Sequence, residues 1–170
     1  MSQASPHARY AHLIRTQRIA SLGTLRDGFP FVSLVPFAET DDFSALLIHI
    51  SRLALHTQDI LQNPRVGLMI AEPDDGLKNP QTLPRASIQG EAVLVPRDSK
   101  NYEAFADRYL HKFPDAAMTF SLGDFELYQI DARSARFVAG FGQIFNFGQL
   151  DFQKAAQTHI DPREDASMTS

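Results

Sequence analysis

The first apolar pattern along the chain is short and helical. In residues 6–16, "PHARYAHLIRT", Leu13 and Ile14 are the main apolar contacts, and Pro6 stands in the first turn, where its missing N–H removes no helical bond. From Ile19 the period drops to two. The runs "IASLGTL" and "FPFVSLVPFA" flank Arg26, Asp27 and Gly28, and an Asp-Gly pair between two such runs predicts a tight hairpin. In the second run Phe31, Ser33 and Val35 share one face and Val32 and Leu34 the other, which leaves Ser33 as a polar side chain on an apolar face. "ETDD" turns the chain into "FSALLIHI", a third strand with Leu46, Ile48 and Ile50 opposite Ala45, Leu47 and His49.

A helix is then expected from near Arg52 to Asn63, where Pro64 disfavours helical geometry in the residue before it. "RVGLMIAE" is a fourth strand, and residues 73–84, with three prolines and a glycine, read as a loop. "ASIQGEAVLV" is a long strand with Gly90 at a bulge or bend. Residues 98–112 form the clearest helix, capped by Asp98 or Ser99, with Tyr102, Phe105, Ala106, Tyr109 and Leu110 on the face turned to the sheet. "FELYQIDA" and "ARFVAGF" supply two last strands, and "GFGQIFNFG" reads as a packing segment. The polar residues 158–170 read as a disordered tail, leaving 1–157 as one domain. Six or seven strands joined largely by short turns, against two principal helices, describe a mainly β (α+β) antiparallel barrel with flanking helices; a doubly wound parallel sheet fits poorly.

Composition narrows the function. Among 170 residues, 44% are hydrophobic and 21% charged, the balance of a globular chain. A net charge of -4 without a dense basic run argues against nucleic acid as a partner. No apolar run approaches the roughly 20 residues of a spanning helix, so no membrane is implicated, and charges occupy the place of a signal peptide's apolar segment, which makes the cytoplasm the expected compartment. The absence of cysteine excludes disulfides, thiolate metal sites and cysteine nucleophiles.

The stretch with candidate chemistry is "HISRLALHTQDILQNPRV". A strand ending at Ile50 and a helix starting near Arg52 would make Ser51 the N-cap, with the amides of Arg52, Leu53 and Ala54 free to meet an anion and with His56 and Thr57 one turn on. On local chemistry alone an ordinary capped helix is the favoured reading of this stretch. "GFGQIF" lacks the sixth-position glycine of a dinucleotide loop, and Asp74 and Asp75 lack the alternating oxygen ligands of a calcium loop. No nucleophile elbow, Walker loop or paired-histidine metal motif is present.

The span from "RIASLGTLRDGFPFVSLVPF" through "LALHTQDILQNPRVGLMI" resembles the flavin-binding split barrels of the pyridoxamine 5'-phosphate oxidase superfamily, with its D-G-x-P hairpin, apolar third strand, polar helix start and "NPRV". The segments "FPDAAMTFSLGDFELYQID" and "ARFVAGFGQI" resemble its haem-utilisation branch. The resemblance implies a split barrel that forms a homodimer with FMN at the subunit interface and acts as an oxidoreductase on a small-molecule substrate. By position it implies Ile50, Ser51, Arg52, His56 and Thr57 around the phosphate, Phe31, Val32 and Ser33 along the isoalloxazine or ribityl chain, and Gly140, Phe141 and Gly142 closing the site from the partner. Oxidases of the superfamily usually carry lysine where His56 stands, and the Trp- and Arg-containing C-terminal signature of a true pyridoxamine phosphate oxidase is missing. The haem-utilisation branch implies a second reading, a haem-binding or haem-degrading protein in which a C-terminal histidine, here His159, ligates iron with Asp124 orienting it. His159 as an ordinary tail residue, and a binding or regulatory module without cofactor, remain as alternatives.

Overall fold

The computed structural model describes residues 4–158. Period-two alternation produces the hairpin as expected: β1 (Ile19–Arg26) and β2 (Phe29–Pro36) pair from Ile19↔Pro36 to Arg26↔Phe29. Asp27 and Gly28 turn between them with φ of 50° and 82°, the left-handed geometry that a two-residue turn matched to strand twist requires. After the two-residue β3 (Ala38–Glu39) come β4 (Ala45–Ser51), β5 (Arg65–Ala71), β6 (Arg85–Leu94), β7 (Phe125–Gly140) and β8 (Gln143–Phe147). The spatial order is β2-β1-β5-β6-β7-β4-β3, with β8 also on β7 and every pairing antiparallel. The sheet curls until β2 meets β4, giving a split barrel with flanking helices. Seven strands of five residues or more match the expected number, and β3 adds a short eighth.

Two cores follow from the two sheet faces. Inside the barrel, Leu22, Ile48, Ile70, Ile88, Ile130 and Phe137 meet Tyr10, Leu13 and Ile14 of α1 (Pro6–Thr16) and Phe152 of α5 (Gln149–Ala156). Tyr10 lies 5.4 Å from the Phe137 ring and 5.1 Å from that of Phe147. On the outer face, α3 (Tyr102–Lys112) lays Ala106 and Tyr109 over Leu47, Leu127 and Ala38, so β4 is buried on both sides. His49 belongs to this outer core. Its ring stacks on Phe120 at 3.8 Å, at the end of the short helix α4 (Ala117–Phe120), and its Nδ1 lies 3.2 Å from the Thr119 hydroxyl.

Four local expectations change. First, α3 starts at Tyr102 after Asn101 with no side-chain cap; Asp98 and Ser99 lie in preceding turns, where the amide of Ser99 bonds the Pro96 carbonyl. Second, the two expected strands after Phe125 are one strand of 16 residues. Its register jumps from Gln89↔Ser134 to Gly90↔Ala132, so Arg133 is an extra residue in a bulge and the strand continues past it. Third, "GFGQIFNFG" is the β7–β8 turn plus β8, with Gly142 at φ 71°; the flanking glycines hid a strand that alternates Gln143, Phe145 and Phe147 inward. Fourth, α5 arises from "QLDFQKAA", where the Asp151 carboxylate accepts the Gly148 amide at 3.1 Å and packs against His7 at 3.0 Å. No helix among the described residues is long and apolar enough to cross a membrane.

Two outcomes test this packing. A Cβ at Gly90 would lie 2.5 Å from the Asp131 carbonyl oxygen, so Gly90→Ala is expected to lower unfolding free energy by about 1–3 kcal/mol, as overpacking does, read by urea denaturation. Burial and then the charge of Arg97 push the His49 imidazole down to about 4 from 6.5. The unfolded chain therefore takes up a proton that the fold excludes; stability is intact above about pH 6.5 and falls as pH drops from there towards 4. His49→Phe is expected to flatten that stretch of the profile, measured as urea midpoints across the range.

Candidate functional site

The corner after β4 is built by Ser51, the last residue of that strand. Its hydroxyl donates to Asp124 Oδ2 at 2.7 Å and accepts from the Leu53 amide at 3.1 Å, while its carbonyl accepts from the Thr57 hydroxyl at 2.7 Å. Helix α2 (Leu55–Gln62) therefore starts later than the sequence suggests, with Ala54 at its N-cap and no side-chain cap. The reason is competition for the backbone. The amide of Arg52 bonds the Asp124 carbonyl at 2.7 Å, that of Leu53 takes the Ser51 hydroxyl, and that of Ala54 bonds the Ser51 carbonyl at 3.1 Å. All three amides expected to meet an anion are already bonded, and a carboxylate stands at the serine.

The other members of the corner are equally committed. Arg52 donates to the Gly123 carbonyl at 2.7 Å and lies 3.8 Å from Glu126. Ile50 and Thr57 are buried. The tie that fixes α2 is one that the sequence did not flag: Asp59, 3% exposed, accepts from the Thr24 hydroxyl at 2.8 Å and from Arg26 Nε at 3.0 Å. Arg26 also donates to the Leu55 carbonyl at 2.7 Å and lies 5.0 Å over the Phe31 ring. Burial pushes the Asp59 carboxyl up, but hydrogen bonds from Arg26 and Thr24 and the charge of Arg26 outweigh it and hold the group below its ordinary value. The signal was present in Thr24 and Arg26 facing one way on β1, but only folding brings Asp59 to them. Burial pushes the His56 imidazole down, with the Asp59 charge opposing, and its Nε2 is buried without a partner among the described residues.

The remaining expected residues separate. Phe31 and Ser33 turn towards the barrel and Val32 away from it, so the three do not line one surface; alternation along β2 forbids it. Gly140 ends β7, and Phe141 and Gly142 form the turn after it, at the far end of that strand from Phe125, the residue paired with Ser51. One chain thus keeps them apart. Asp74 and Asp75 each accept an amide two residues on, at 3.0 and 2.9 Å, as ordinary turn residues do. His159 lies outside the described residues, among which no cluster of three or more His, Cys, Asp or Glu is placed to hold a metal ion.

An open apolar face lies on the outer side of β1, β2 and β5. Gly23 of β1 pairs with Gly67 of β5, leaving a floor of bare backbone beside Leu25, Val32, Leu34 and Met69, all 41–64% exposed. A family model described as pyridoxamine 5'-phosphate oxidase matches residues 6–139. The chain belongs to the pyridoxamine 5'-phosphate oxidase family. Within that family it is 35% identical over 138 residues to the protein named non-canonical heme oxygenase HOZ, chloroplastic, of Arabidopsis thaliana, covering 80% of this chain and 40% of that one. It is 29% identical over 119 residues to heme oxygenase HutZ of Vibrio cholerae, covering 69% of this chain and 66% of that one. The chain thus spans less than half of the length of the first relative and about two thirds of that of the second. The structure of a heme binding protein from Mycobacterium smegmatis shares the fold, with a TM-score of 0.79 at 19% identity over 91% of this chain and 62% of that one.

For this family member, the Ser51 hydroxyl is a structural link between β4 and the start of β7. Ser51→Ala leaves Asp124 and the Leu53 amide without their partner and is expected to lower unfolding free energy by about 1–2 kcal/mol in a denaturant titration.

Proposed function

We propose that this chain binds haem, in a homodimer with the site at the subunit interface, and that haem is a substrate for oxidative degradation. The observation that carries the reading is the state of the Ser51 corner. A phosphate dianion needs free amides and a cation, whereas the three amides here are bonded, the Asp124 carboxylate stands at the serine and burial disfavours the charged form of His56. The names of the two curated relatives support the same direction. FMN, the cofactor implied by the superfamily, is the second reading and rests on family membership.

The residues present suit haem. The face of Leu25, Val32, Leu34 and Met69 around the Gly23–Gly67 pair offers an exposed apolar surface with bare backbone at its centre for a macrocycle, and its burial by ligand and partner would remove exposed hydrophobic area from water. His159 is the candidate iron ligand. Asp124 has an oxygen, Oδ1, without a partner among the described residues, and a carboxylate that met the His159 imidazole would orient it and raise its basicity. Bound haem supplies the iron at which dioxygen reacts; the chain supplies binding, orientation and exclusion of water.

Visible absorption of the purified protein with added haem or FMN tests the reading. An intense Soret band that is lost or shifted in His159→Ala is expected, with little flavin retained. Asp124→Asn, which removes the repelling charge, is expected to tighten FMN binding by about tenfold or more. Stoichiometric flavin bands without haem binding would overturn the proposal.

A further inference from the structure

A groove of about 620 Å³ crosses the outer side of β5, β6 and β7, lined by Arg65, Gly67, Gln89, Gly90, Arg133 and Ser134. It is built by the bulge. Ordinary alternation would send one of two successive residues inward, but the extra residue leaves both Arg133 and Ser134 exposed between the buried Ala132 and Ala135. Gly90 opposes this step, where any Cβ would strike the Asp131 carbonyl oxygen, so only glycine lets β6 and β7 close on each other. Gly67 continues the floor one strand over, as the direct partner of Gln89, which in turn pairs with Ser134. The floor is backbone and the rim is polar.

The rim is also underused. The Arg65 guanidinium has no hydrogen bond or ion pair among the described residues; only its backbone amide is engaged, with Asn63. Arg133 reaches a single carboxylate, Glu91, at 3.4 Å, and both side chains are largely exposed, so the pair is weak. Glu91 and Asp131 are register partners beside the groove, and Asp131 is occupied by the Gln129 amide at 3.0 Å. The groove thus presents one free guanidinium and a second held by an exchangeable carboxylate, each a five-donor fork matched to oxygen anions.

We propose that this groove is a binding site for a small oxyanion, a phosphate monoester or a carboxylate, clasped by Arg65 and Arg133 with the Gln89 amide and the Ser134 hydroxyl completing the contacts. Glu91 is the internal competitor that the ligand displaces from Arg133. The site lies on β5, β6 and β7, away from Ser51 at the end of β4, and at Gly67 it adjoins the face proposed above for haem and the partner subunit.

The test is a nuclear magnetic resonance titration of the full chain at low ionic strength with methyl phosphate and, separately, succinate. Saturable shifts are expected at the amides of residues 65–67, 89–91 and 132–134, and the tighter of the two anions identifies the ligand as phosphate or carboxylate. Arg65→Ala and Arg133→Ala, both at exposed positions, are each expected to weaken binding about tenfold or more, the factor carried by one charge-assisted hydrogen bond. Glu91→Gln is expected to tighten it several-fold, a gain that a merely structural Glu91 would not produce. Absence of saturable shifts with both anions, or Arg65→Ala affinity equal to that of the parent, overturns the proposal. So does an Arg65→Ala variant that changes sedimentation while leaving anion affinity untouched, since the groove would then be a contact between copies.

Discussion

A strand of 16 residues that is bonded to β6 along most of its length, to β4 at one end and to β8 at the other cannot remain flat and regular, because strand twist accumulates with length. In β7 the mismatch is taken up at one step, where Arg133 is extruded opposite Gly90. The rest of the architecture hangs on that step. On one side of it, β7 carries β4 and, over it, the outer core of α3 and His49; on the other, it carries β8 and the inner core around Tyr10 and Phe137. A residue larger than glycine at position 90 would press on the strand at the point where both halves meet.

The same strand sets the chemistry of the corner at Ser51. Asp124 immediately precedes β7, and pairing of Phe125 with Ser51 brings its carboxylate and its carbonyl onto the end of β4. Those two groups occupy the Ser51 hydroxyl and the Arg52 amide before a helix can form there, and α2 is displaced towards Leu55. Its anchor is then tertiary: Asp59 on Thr24 and Arg26 of β1, with Phe31 under the guanidinium. The corner thus presents, in this chain, amides that are already bonded and an imidazole whose charged form burial disfavours. That electrostatic balance separates the two cofactor readings more sharply than the shape of the barrel does.

Much of this was legible in the order of residues. Alternation marked both faces of β2 and β4; Asp27-Gly28 marked the hairpin; Gly90 marked the bulge; and Pro64 marked the end of α2. These signals are local, because a turn, a break or a face is decided by a residue and its near neighbours. The helix starts at α2 and α3 were misjudged for a related reason: serine and aspartate can cap any helix, and whether they do depends on what else offers them a hydrogen bond. The site was legible only as a set of residue types. Its members Phe31, Val32 and Ser33 alternate across a sheet, and Gly140 to Gly142 end up a full strand away from Ser51.

By itself, then, the sequence determined an antiparallel barrel with its hairpin and its bulge, since periodicity and turn chemistry act over a few residues, while the split barrel and its family were legible only through resemblance. Only the tertiary structure decided which donors were already spent. The bonds from Asp124 to Ser51 and from Asp59 to Arg26 join residues 73 and 33 positions apart. No local pattern encodes such distances. They are set when β7 closes on β4 and α2 closes on β1, and they leave Arg65 as the guanidinium at the bulge with no partner of its own among the described residues.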